Sequence, residues 1–265
     1  MGSILEALSP EQQIACSTQN NILLTACPGS GKTRTLTHRL AYQVLRDPAS
    51  KKIKIAITYT NRAAEEITNR LEGMNIDQSS IWAGTIHQFC MHFIIRPYAM
   101  YSKRLCKGYR IIDDYSKKAY GREIAERLGM HLNYYDDPFQ YENVRTEYKR
   151  VLKEKKEIDF DAILLISEEL LASCAFIGSN IASVISSILV DEFQDTNELQ
   201  YSILSTIYKA NKSIILMFVG DVNQAIYSSL GGVAKGKKEL ETLYEINFDS
   251  LSLKGCYRST QRLVD

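Results

Sequence analysis

The sequence lacks any long apolar run. Its longest strong one, residues 214–219, has the length of a strand and falls far short of the roughly 18 residues of a membrane span. No charged start followed by an apolar stretch opens the chain, so no secretory leader is expected. Glu6 stands where N-myristoylation after Gly2 would need Ser or Thr. None of the six cysteines forms a Cys-x-x-Cys pair, which argues against a zinc ribbon or a dithiol redox motif. Their scatter fits a reducing, cytoplasmic setting. Repeats and low-complexity segments are missing too. So is an excess of either charge: the net is +1, which by itself speaks neither for nor against nucleic acid. What is present is globular in kind. A hydrophobic share of 45% against 24% charged residues is enough apolar material to oppose disorder. A length of 265 residues suits one large domain or two small ones.

The small net charge hides a segregation. Residues 97–156 carry 14 Lys+Arg and 9 Asp+Glu, a net of +5, and 9 of the 16 tyrosines. The remainder carries 18 and 22, a net of −4. Such a stretch reads as a separate module with a surface suited to phosphates and exposed bases, or as a solvated helical insertion with tyrosines in a small core.

Strand and helix patterns alternate on either side of it. Residues 21–26, 53–60 and 81–86 read as apolar strands, each followed by a turn or a helix, with Asn61 as the cap of a helix to about residue 74 and another helix from His87. Strands return at 188–190, 214–219 and 250–254. Between them, 116–128, 141–156 and 160–174 read as helices, with one short strand at 109–112. The expected fold class is α/β: a domain with a parallel sheet, formed by residues 1–96 and 175–265, interrupted by a small helical subdomain at 97–174.

Two motifs carry chemistry. Ala26-Cys27-Pro28-Gly29-Ser30-Gly31-Lys32-Thr33 follows a predicted strand and opens a predicted helix, the setting a P-loop needs. Its glycines let backbone N–H groups close around phosphate oxygens at the positive end of a helix. Lys32 is expected at the β- and γ-phosphates and the Thr33 hydroxyl on Mg²⁺. Ala26 replaces the usual first glycine. The second motif, residues 188–192, is an apolar strand ending in Asp191 and Glu192. Asp191 is expected to hold Mg²⁺, and Glu192 to deprotonate an attacking water. No His/Cys cluster suggests another metal.

The run Asp191-Glu-Phe-Gln-Asp-Thr196 resembles motif II of the UvrD/Rep-type superfamily 1 helicases, and further segments resemble that family's motifs in the right order. Leu8-Ser-Pro-Glu-Gln-Gln13 is similar to the Q motif, which implies that Gln12 reads the adenine edge. Lys32-Thr-Arg34 is similar to the family's P-loop ending, with Arg34 near the adenine. Thr58-Tyr-Thr-Asn-Arg-Ala-Ala64 resembles motif Ia, and Gly84-Thr-Ile-His87 the motif after the third strand. Residues 219–227 resemble motif III, where Gln224 would sense the γ-phosphate. Tyr257-Arg-Ser-Thr260 resembles motif IV, with Tyr257 against the base and Arg258 on the γ-phosphate. Residues 158–160 resemble the exit from the family's helical insertion.

The resemblance implies a RecA-like ATP-binding domain of an ATP-dependent 3′–5′ DNA helicase, with Lys32, Glu192, Gln224 and Arg258 as catalytic groups and ATP and Mg²⁺ as ligands. It implies contacts to single-stranded DNA, or to single/double-strand junctions, through Tyr59, Thr60, Asn61, Thr85, His87 and Tyr227. A nuclease or repair protein is a possible partner, and no membrane is implied. Two departures stand out. Ser229 and Leu230 occupy positions where the family has an aromatic and an arginine, and the sequence stops after motif IV. The second departure leads to the expectation of a fragment or truncated product, weakly active alone. The alternative is a DNA-sensing ATPase or regulatory subunit of a nuclease or antiphage complex that does not unwind. The Asp-Glu-Phe-Gln run disfavours a P-loop kinase.

Overall fold

The computed structural model describes residues 2–133, 135–221, 235–253 and 255, and the chain forms two compact units. One comprises residues 1–89 with 174–265, the other Cys90–Ser173. The first begins with α1 (Gly2–Leu5), α2 (Pro10–Ser17), β1 (Ile22–Ala26), α3 (Lys32–Arg46), β2 (Ile53–Thr58), α4 (Asn61–Gly73), β3 (Ile81–Thr85) and α5 (Ile86–Phe89). A π-helical stretch, Cys90–Ile95, opens the second unit and is followed by α6 (Arg96–Tyr98), β4 (Arg110–Ile111), α7 (Asp114–Arg127), α8 (Glu142–Lys155), β5 (Glu157–Ile158) and α9 (Phe160–Ser173). The chain then returns through α10 (Ala175–Val184), β6 (Ile185–Asp191), α11 (Glu198–Ala210), β7 (Ile215–Gly220), α12 (Lys237–Tyr244) and β8 (Asp249–Leu253).

Six strands of the first unit form one sheet in the order β3-β2-β6-β7-β1-β8, every pair parallel. A parallel strand covered on both faces must be apolar along its whole length. β7 shows how its residues divide. Met217 and Val219 join a core with Leu36, Leu40 and Ala41 of α3 and Ile67 and Leu71 of α4. Phe218, facing the other way, meets Tyr201 of α11, Tyr244 of α12, and Phe193 and Phe248. Helices on both faces leave the carboxyl ends of the strands as the open edge, where ligands of such sheets bind.

In the second unit β4 and β5 pair in parallel, and Ile112, Ile124, Ala125, Val144, Tyr148, Val151 and Leu152 form its core. The tyrosines divide there: Tyr148 is buried and donates to Asp159 Oδ2 at 3.0 Å, while Tyr115 and Tyr135 stand exposed. The unit begins at Cys90, whereas the charge pattern had set the boundary at 96/97. That boundary falls inside the helical run Ile86–Tyr98, where Pro97 sits near the start of α6 and does not end the helix. No helix among the described residues is long and apolar enough to cross a membrane.

Candidate active site

β1 delivers the chain into the turn Cys27–Gly31. Gly29 and Gly31 both adopt left-handed backbone (φ 77° and 85°), which residues with a Cβ rarely enter. Ser30, fully buried, braces the turn: its N–H and hydroxyl both donate to Cys27 O, at 3.2 and 2.7 Å. α3 starts directly afterwards. Its N-cap Gly31 supplies no side-chain acceptor, and no acidic residue lies in its first turn. The free N–H groups of the first turn and the helix dipole therefore favour an incoming anion. Ala26, at the end of β1, is buried in the core, while Cys27 and Pro28 are exposed on the outer side of the turn.

At the end of β6, the two acids face this loop. Lys32 Nζ lies 2.9 Å from Glu192 Oε2, and Thr33 Oγ1 donates to Asp191 Oδ2 at 3.3 Å. The four residues, some 160 positions apart in sequence, thus meet in one site. Asp191 is 5% exposed. Burial, reinforced by the charge of Glu192, pushes its carboxyl up to about 7, against the pull of Lys32, the Glu192 N–H and the Thr33 hydroxyl. Burial and then Glu192 also raise Asp195. A carboxylate and a hydroxyl are the hard oxygen donors that suit Mg²⁺, and a cation there would offset the charge that burial disfavours. Glu192 has left-handed backbone (φ 51°), a conformation costing a non-glycine residue about 1 kcal/mol or more. Its side chain is a third exposed.

Gln12, expected at an adenine edge, packs inside the protein here. It is 1% exposed, and both ends of its amide are engaged inside the protein. Oε1 accepts the Ser9 N–H at 3.0 Å, completing a capping box at the start of α2, and Nε2 donates to Ser30 O at 3.3 Å. Gln12 therefore ties α2 to the phosphate loop. Arg34 likewise reaches back, to Ala7 O at 2.9 Å.

A concavity of about 290 Å³ adjoins the acids at the ends of β2, β3 and β6. Asp191, Glu192 and Asp195 form part of its lining, and Tyr59, Thr85 and His87 another part. Three residues expected at DNA thus share a groove with the acids. Tyr59 is 58% exposed, an orientation for a stacking platform and not for a core strand residue. Thr60, and not Asn61, caps α4, accepting the Ala63 N–H at 3.2 Å. Asn61 is exposed as the first residue of that helix. Thr85 exchanges hydrogen bonds with Gln88, its N–H donating to Gln88 Oε1 at 2.8 Å, so Thr85 caps α5. Gln224, Tyr227, Ser229, Leu230, Tyr257 and Arg258 lie outside the described residues.

One site residue escaped the sequence reading. Gln194, in the turn after Glu192, donates to Glu192 Oε2 at 2.7 Å and accepts the Asp221 N–H at 3.2 Å. Its place within the Asp-Glu-Phe-Gln run was the available signal.

The AAA domain family matches residues 11–230. The chain is similar to the ATP-dependent DNA helicase PcrA of Leuconostoc citreum, 28% identical over 94% of this chain and 37% of the relative. It is similar also to DNA helicase II of Escherichia coli strain K12, 26% identical over 98% of this chain and 40% of the relative. The chain thus spans about two fifths of the length of these relatives. Among solved structures, the Pif1 helicase from Candida albicans aligns with 97% of this chain and 42% of its own, at 13% identity and a TM-score of 0.46.

Proposed function

The chain belongs to the AAA domain family, and within it to the UvrD/Rep superfamily 1 type; from that premise we propose that it is the ATP-binding portion of a DNA helicase that hydrolyses ATP to move 3′–5′ along single-stranded DNA. The observation that carries the reading is the convergence of Lys32 and Thr33 with Asp191 and Glu192 at the carboxyl edge of the sheet.

In this reading the phosphates of ATP lie over the turn Cys27–Gly31 and the uncapped start of α3. Lys32 exchanges Glu192 for the β- and γ-phosphates, a move that a single ion pair among the described residues permits. Thr33 and Asp191 would hold Mg²⁺, which when bound offsets the phosphate charge. Freed from Lys32, Glu192 takes a proton from the attacking water. Further charge stabilisation falls to Arg258, with Gln224 sensing the γ-phosphate and Tyr257 packing on the base. Tyr59, with Asn61, Thr85, His87 and Tyr227, forms the DNA face. The caps that Thr60 and Thr85 provide set the helix starts from which this face is built. The shared groove beside Asp191 and Glu192 supports coupling between DNA and hydrolysis, since a strand over Tyr59 and His87 would cover one approach to the acids.

Steady-state phosphate release by the full gene product, with and without single-stranded DNA, tests this. Mg²⁺-dependent turnover that rises with DNA and disappears in Lys32→Ala is expected. Turnover unaffected by Lys32→Ala would overturn the assignment.

A further inference from the structure

Glu192 Oε2 receives two donors: Lys32 Nζ at 2.9 Å and Gln194 Nε2 at 2.7 Å. Under the proposed function, on which this inference rests, the first donor leaves for the phosphates when ATP binds. The second has nowhere to go. Gln194 is 3% exposed, and a buried amide needs partners at both ends. Its Oε1 accepts the Asp221 N–H at 3.2 Å, just past the end of β7.

The surroundings fix the amide further. The turn Phe193–Asp195 is held by the Thr196 N–H and the Tyr201 hydroxyl, both donating to Phe193 O, at 3.1 and 2.8 Å. At Gly220 a Cβ would stand 2.2 Å from Gln194 Oε1 and 2.6 Å from Phe193 Cδ1. The β7 backbone therefore approaches Gln194 more closely than any side chain at that position would allow.

We infer that Gln194 is a positioning residue that keeps Glu192 aimed once Lys32 has turned to the phosphates, and that it takes its own bearing from the end of β7. A glutamine suits this place because one end donates to a carboxylate while the other accepts from an N–H. With Oε2 pinned, Glu192 Oε1, which has no hydrogen bond among the described residues, is the atom left to take the proton from water. β7 leads directly into the residues that resemble motif III, so whatever displaces its end reaches Glu192 through one amide.

The test uses ATP hydrolysis by the full gene product with saturating single-stranded DNA, binding of a fluorescent ATP analogue, and thermal melting. Gln194→Met keeps the volume and removes both hydrogen bonds. It should lower kcat about 10- to 100-fold, the scale of a misaimed reacting group. KM and analogue affinity should stay within about 2-fold of wild type, a separation that general loosening of the site would not give. Gln194→Glu, which keeps the acceptor but sets a second negative charge beside Glu192, should show the same kcat loss, and carries the test if Gln194→Met does not fold. Wild-type kcat in either folded variant, or a loss that appears in KM and affinity alone, overturns the inference while leaving the proposed function standing. A wild type that does not hydrolyse ATP overturns both.

Discussion

Replacing Asp191 by Asn in the nucleotide-free protein, with divalent cations chelated, isolates what this carboxylate costs the fold. Its folded pKa is about 7 against an ordinary value of 3.8, with burial the main cause and the neighbouring Glu192 the second. Below about pH 4 both folded and unfolded chains hold the proton, and no cost arises. Between about pH 4 and 7 the unfolded chain releases it while the folded one retains it, so stability falls as pH rises. Above about pH 7 the full cost applies: at about 1.36 kcal/mol per pH unit, the interval amounts to roughly 4 kcal/mol. Asn removes the charge but makes weaker hydrogen bonds with Thr33 Oγ1 and the Glu192 N–H, so about half of this should be recovered. For a domain of this size 1 kcal/mol corresponds to roughly 2–4 °C. Differential scanning calorimetry at pH 8 should find Asp191→Asn melting about 4–8 °C above wild type, and at pH 5, where the wild type is relieved of roughly 3 kcal/mol, the gap should close or reverse slightly. A variant that melts below wild type at pH 8, or a gap that does not change with pH, would refute the reasoning.

Glu192→Gln should bind a fluorescent ATP analogue nearly as wild type does while hydrolysis stops, because the amide keeps the shape but takes no proton; affinity falling in step with turnover would make Glu192 a binding residue. Gly220→Ala must displace Gln194 or Phe193, so it should cost about 1–3 kcal/mol, read as a lower melting temperature, and lower kcat as well. Tyr59→Ala should weaken single-stranded DNA binding by about 1–3 kcal/mol without base preference, checked by fluorescence anisotropy on homopolymeric oligonucleotides; unchanged affinity would remove Tyr59 from the DNA face.

How far the sequence spoke depended on how local each signal was. Lys32, Thr33, Asp191 and Glu192 were legible because each sits at a strand end beside glycines or a second acid, and the sheet had only to bring two strand ends together. Gln12 was identified as a site residue, yet its partners, Ser9 and Ser30, include one 18 positions away that no local pattern announces. Gln194 lay in plain view, but its bond to Asp221 spans 27 positions. β6 begins at Ile185, three residues before the apolar run, because Ser186 and Ser187 look like loop residues until their hydroxyls find Ile53 O and Gln43 Oε1. α10 went unread because it follows α9 at once, has no side-chain cap, and carries a glycine and β-branched residues. At α4 both Thr60 and Asn61 are good caps, and only the backbone geometry separates them.

The central claim, that this site drives movement along single-stranded DNA, is met most directly by following the arrival of the full gene product at a dye on one end of an oligonucleotide after rapid addition of Mg-ATP. Arrival at the 5′ end that slows in proportion to oligonucleotide length, and is absent in Glu192→Gln, is the result predicted here. ATP turnover with no arrival at either end, or arrival at the 3′ end, would contradict it.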